Sequence, residues 1–149
     1  MSDTHPIAMD DDERDAFLGT GGTGVVSFES SGDEPPHSVP ISYGYDGSET
    51  TVYFRLAVGP DSDKGDVAGR QVTFVAYGQR DDEWRGVIAK GRLEETTEAS
   101  VATESLEGLQ QVHIPLVDIF GDPVKDVSFE FHRLVSYQMT SRAESSTEV

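Results

Sequence analysis

Between His37 and Lys64 the chain runs HSVPISYGYDGSETTVYFRLAVGPDSDK, and this stretch limits the fold more than any other. Ser38 to Gly44 and Thr51 to Ala57 are rich in Val, Ile, Tyr, Phe and Thr, side chains that fit a pleated surface. Asp46-Gly47-Ser48 between them supplies turn chemistry. The pair therefore predicts an antiparallel hairpin. The loop from Val58 to Asp66 then brings Lys64 back toward the strand that carries Arg55. Two cations and a loop beside a strand end are the makings of an anion site.

The rest of the chain extends this pattern. Asp10 to Leu18 predicts a short helix, with Asp10 as cap, Glu13 in capping-box position and Gly19 as stop. Met1 to Met9 is expected to be a loose lead-in, and Thr20-Gly21-Gly22 a turn. Further strands are expected at Gly24 to Glu29, Gln71 to Gly78 and Trp84 to Glu94, with a hairpin loop at Gln79 to Glu83. In the strand from Gln71 both faces are apolar, which predicts burial on both sides. Asp66 to Arg70 has the makings of one helical turn. Thr97 is expected to cap a helix to about Val112, carrying Ala102, Leu106 and Leu109 at helical spacing. Ile114 to Phe120 suits a second helical piece. A last strand is expected from Val127 to Met139, with Val127, Phe129, Phe131, Val135 and Tyr137 at period two; residues from Thr140 on read as frayed. Short strands in series with one late helix predict a mainly β fold, an antiparallel barrel with a few helices.

Charge narrows the function classes. The 149 residues suit one domain, and 28 acidic against 11 basic residues give a net charge of -17. Nucleic acid and anionic membranes would be repelled by such a surface. Lysine occurs only at Lys64, Lys90 and Lys125, and the composition resembles that of proteins from salt-accumulating halophiles. In dilute buffer this charge should destabilise the fold; in molar salt it is screened within about 3 Å. Without cysteine there are no disulfides or thiolate metal sites. No apolar run approaches the roughly 20 residues of a membrane span, and no signal peptide is visible, so a cytoplasmic location is expected.

Five pieces in order carry a resemblance: the leading helix with Gly24-Val25-Val26-Ser27-Phe28, then Pro40-Ile41-Ser42-Tyr43, then Val52-Tyr53-Phe54-Arg55, then Lys64, and finally Trp84 to Gly91 ending in Ala89-Lys90-Gly91. Together they resemble the FMN-binding split barrel of the pyridoxamine 5'-phosphate oxidase family, a six-stranded antiparallel barrel. The resemblance spans Asp11 to Glu95 and, more loosely, the C-terminal strand. It implies a homodimer with FMN at the subunit interface, and an FMN-dependent oxidoreductase whose substrate the sequence does not name. Arg55 and Lys64 would take the phosphate, the backbone of Ile41, Ser42 and Tyr43 the ring edge, and Trp84 would touch the flavin from the partner subunit. Phe54, Leu56 and the basic-glycine step at Lys90 complete the implied cofactor site.

There are departures. Asp61 and Asp63 stand beside Lys64, Asp63 in place of the family's arginine. The C-terminal substrate signature of the true oxidases is missing, with only Arg142 nearby, which speaks against that particular reaction. Other readings stay open: a non-catalytic flavin store or sensor, an apo barrel for haem or a deazaflavin, or an interaction domain without cofactor. Each site residue also has a plain structural role available, as a strand, core or solvated residue. His5, His37, His113 and His132 show no metal spacing and are read as structural, with no metal expected. The glycines from Gly19 to Gly24 lack the lysine and serine of a phosphate loop.

Overall fold

The computed structural model describes residues 7–30, 32–58, 69–101, 103–110 and 128–145. The elements are β1 (Ile7–Ala8), α1 (Asp11–Leu18), β2 (Gly21–Phe28), β3 (His37–Asp46), β4 (Thr51–Val58), β5 (Gln71–Arg80), β6 (Glu83–Thr96), a 3-10 turn (Glu98–Ser100), α2 (Thr103–Gln110) and β7 (Ser128–Ser145). The strands lie in the order β1-β7-β4-β3-β2-β5-β6, and β6 pairs back onto β7. Every ladder is antiparallel. Six strands, β2 to β7, thus close into the expected mainly β barrel, with β1 added alongside β7.

The core follows from strand alternation. Val26, Phe28, Phe54, Phe74, Val87 and Ala89 are fully buried and lie in one cluster with Ile41, Tyr43, Leu56 and Leu93. The Phe74 ring meets Tyr43 and Phe54 edge-on at centroid distances of 5.1 and 5.3 Å, the arrangement that aromatic quadrupoles favour.

Helix α1 forms as its caps dictate. The Asp10 carboxylate accepts from the Glu13 N–H at 2.7 Å, Glu13 reaches back to the Asp10 N–H, and Gly19 ends the helix at φ 61°. Its Phe17 and Leu18 join the barrel core. Two phenols fasten it: the Tyr43 hydroxyl donates to the Leu18 carbonyl at 3.1 Å, and the Tyr45 hydroxyl to Asp15 at 2.6 Å. Burial pushes both phenols up to about 12, helped at Tyr45 by its bond to the Asp15 carboxylate. Because the folded values lie above the unfolded phenol value, the protonated phenols stabilise the fold below the unfolded value. That contribution is lost as pH rises through about 12. In a tyrosinate absorbance titration, Tyr43 and Tyr45 should ionise last, together with the loss of circular dichroism; their ionisation near the ordinary phenol value in a folded protein would show the docking to be wrong.

Helix α2 packs outside the barrel. Val101 and Leu109 bury against Tyr53, with Leu106 and Phe131 beside them, in a second cluster separate from the core. Backbone meets backbone here: a Cβ on Gly44 would overlap the Ser105 carbonyl, and one on Gly108 the Thr20 carbonyl.

Several expectations from the sequence are corrected. Part of the lead-in, Ile7–Ala8, pairs with Arg142 and Ala143. Gly21 and Gly22 belong to β2, paired with Gly44 and Tyr43, and that strand ends at Phe28. The loop after β5 shrinks to Asp81 and Asp82, whose φ values of 52° and 65° give the left-handed turn a tight hairpin needs. β5 is not buried on both sides, since Tyr77 is 67% exposed. Thr97 opens the 3-10 turn, its carbonyl accepting from Ser100 N–H at 3.0 Å, and α2 is a separate helix. β7 continues to Ser145 instead of fraying at Thr140.

The inward set on β7 also differs. His132, Leu134 and Ala143 are buried, while Tyr137 is 69% exposed. Phe131 turns outward to α2. Lys90 pairs with Gln138 but Gly91 with Ser136, so Tyr137 is bulged out and the parity of the strand changes there. Gly91 is required at this point, because a Cβ would overlap the Val135 carbonyl. Expectations for Asp61, Asp63, Lys64, Asp66, Ala102, Ile114 to Phe120 and Val127 lie outside the described residues. Among the described residues, no helix is long and apolar enough to cross a membrane.

Candidate functional site

The barrel has a seam where two strands part. The β3–β4 ladder runs from Asp46↔Thr51 to Tyr43↔Phe54. Beyond it, β3 pairs with β2 as far as His37, and β4 pairs with β7 as far as Val58. Pro40 stands on β3 in the segment that has left β4, where a missing N–H costs no ladder bond on that side. The sequence segments Ile41-Ser42-Tyr43 and Phe54-Arg55-Leu56 therefore flank the opening of the split.

The side chains of these residues divide by parity. Ile41, Tyr43, Phe54 and Leu56 point into the core and are 6%, 4%, 0% and 2% exposed. Only their backbone is available to a ligand at the split. Ser42 and Arg55 lie between them, half-buried, on the opposite face. Both already take part in interactions within the protein. Lys64 lies outside the described residues.

Trp84 and Lys90 are not brought to the split of their own chain. Residues opposite each other in neighbouring strands share a face, so the register places Pro40, Val25, Val75, Ile88 and Thr140 in one row across the outside of the barrel. The adjoining row contains Ser38, Ser27, Thr73, Lys90 and Gln138. Trp84 lies further along the same face of β6, opposite Gln79 and Glu144. Its ring is 48% exposed and stands 6.5 Å from that of Tyr77. With Val75, Ile88 and Arg142 these rings line a cleft of about 450 Å³. A second hollow of about 600 Å³ opens beside Ser27, Thr73 and Tyr137. Reading the sequence missed Tyr77, Ile88 and Tyr137 as surface residues; Tyr77 next to the Asp81-Asp82 turn was the available hint.

Known proteins share this fold. Residues 10–143 match the family model for pyridoxamine 5'-phosphate oxidase, and the chain belongs to that family. Its fold is similar to that of a candidate pyridoxamine 5'-phosphate oxidase from Corynebacterium glutamicum, with a TM-score of 0.64 at 17% identity over 100% of this chain and 99% of the other. It is also similar to an FAD-binding protein from Mycobacterium smegmatis, at TM-score 0.62 and 19% identity over 95% and 100% of the two chains. A third similar structure is an FAD-binding protein from Mesorhizobium loti, at TM-score 0.61 and 15% identity over 97% and 100%. No curated protein matches the sequence.

Proposed function

We propose that the protein binds FMN at the split between β3 and β4 and works as a homodimeric flavin-dependent oxidoreductase. The observation that carries this reading is the parting of the two strands after Tyr43↔Phe54. It sets a run of strand backbone at the edge of an opening, which suits the hydrogen-bonding edge of a flat heterocycle. The FAD-binding character of two similar folds supports the same class of ligand. Ile41 to Tyr43 would hold the ring edge, Arg55 and Lys64 the phosphate, and Phe54 and Leu56 would keep the lip rigid from within.

A second copy completes the site. Trp84 and Tyr77 expose rings on a face that also carries Val75 and Ile88, which suits burial against another chain. That face would shield the flavin of the partner, with Lys90 at its margin. Bound there, the flavin supplies the redox chemistry; the chain's own residues bind, orient and exclude water. The acidic surface would be an adaptation to high salt, and a cytoplasmic single domain is the matching expectation.

The test is the visible spectrum of protein purified in high salt, with chromatography of the flavin released by heat and sedimentation to measure the assembly. A yellow dimer releasing one FMN per chain is expected, and Trp84→Ala and Lys64→Ala should each weaken FMN binding about tenfold or more, the loss of one good contact or charge-assisted bond. A colourless protein that takes up no added FMN overturns the reading. Flavin binding without oxidation of any reduced nicotinamide or other tested substrate would retain the site and remove the enzyme.

A further inference from the structure

We propose that Glu95, Glu130 and His132 form a binding site for a divalent transition-metal ion, independent of the flavin reading. β6 and β7 place Glu95 directly opposite His132, and Phe54 of β4 stands opposite His132 on the other side. Glu130, two residues along β7, shares that face of the strand. The three side chains therefore converge at one end of the barrel wall.

Two independent features make this more than a pair of surface acids. His132 is fully buried, and neither of its ring nitrogens makes a hydrogen bond of good geometry among the described residues, the Glu130 backbone being its nearest approach to one. A buried imidazole without partners is costly and uncommon in folded proteins. Its ring nitrogens are nevertheless close to charge: one ligand atom from each of the three residues lies within 4.8 Å of the other two. The His132 Nε2 to Glu130 Oε1 distance is 4.0 Å, too long for a hydrogen bond. Two ligands of one tetrahedral ion at about 2.0–2.2 Å stand about 3.4 Å apart, so a small rotation of the half-exposed Glu130 side chain would bring the pair to ligand spacing.

The donor set points to the class of ion. One neutral imidazole with two carboxylates suits zinc, manganese, cobalt or ferrous iron, whereas calcium and magnesium favour oxygen alone. The carboxylates are the accessible part: Glu95 is exposed and the Glu130 side chain is 42% exposed. The ion would thus rest on a buried nitrogen with an open side toward water, the pattern of three protein ligands with a remaining position. The net charge of -17 raises the local concentration of cations.

The probe is Co2+, added to chelator-treated full-length protein in about 1 M salt, which screens diffuse binding to surface acids. One Co2+ per chain should bind saturably, produce a visible ligand-field band, and be displaced by Zn2+. Proton NMR should show one imidazole strongly shifted by the paramagnetic ion. Glu95→Gln and Glu130→Gln change surface carboxylates and keep the fold; each should lower affinity by at least the tenfold typical of losing even an outer-shell partner. Glu104→Gln on α2 should leave affinity unchanged. Absence of saturable one-to-one binding overturns the proposal, as does affinity that survives both glutamine variants at or near the starting value.

Discussion

Gly44→Val should largely detach α2 and cost about 3 kcal/mol or more, the upper end of what overpacking does. The reason is the nature of the neighbour. A Cβ at Gly44 would overlap the Ser105 carbonyl and crowd Leu109. A side chain can rotate away from such a collision; a helix carbonyl moves only if the helix moves. The opposite side of the seam is equally tight at Gly108 against Thr20 and Gly21, so α2 cannot slide to make room. Lifting it exposes Val101 and Leu109 and uncovers Tyr53. Urea denaturation of the variant should show a much lower midpoint, and amide exchange over Thr103–Gln110 should rise first. A midpoint within about 0.5 kcal/mol of the parent, the usual span of surface changes, would falsify the close packing of this helix.

Phe74→Ala should cost about 3–5 kcal/mol, as removal of a buried phenylalanine usually does. Marginal total stability, commonly about 5–15 kcal/mol, makes this a large fraction. Phe74 has no exposed surface, and its ring fills the space above Gly24 while touching Tyr43 and Phe54 by their edges. The cavity would open between the two strands that part at the split, so their spacing loses its support. Thermal and chemical denaturation check the magnitude. A loss below about 1 kcal/mol would mean that the ring is not a central core element.

The fold was legible where local chemistry and tertiary packing agree. Asp10, Glu13 and Gly19 announced α1 because caps act over a few residues. The hairpin around Asp46 to Ser48 and the alternation of Val72, Phe74 and Ala76 were visible for the same reason. β7 was misread because its apolar residues serve two different cores. Phe131 faces α2 on the outside, Leu134 faces inward, and the bulge at Tyr137 changes parity between them and Met139. A single period cannot describe a strand that switches faces.

The candidate site was legible only as a set of segments. Residues 41–43 and 54–56 do stand along the split, but the sequence does not say that β3 and β4 separate after Tyr43↔Phe54. Pro40 was the available sign. The juxtaposition of Glu95 with His132 depends on the β6–β7 register, which is set across the whole barrel, and no spacing rule reveals it. Likewise, nothing local distinguishes exposed Trp84 from a core tryptophan.

The closing strand has a consequence for synthesis. β7 is made after every other described element, yet it joins β1, β4 and β6. Until Ser128–Ser145 has left the ribosome, β4 and β6 remain open edges, and open edges recruit other strands. The nascent chain can form its local hairpins early, but barrel closure must wait for this strand.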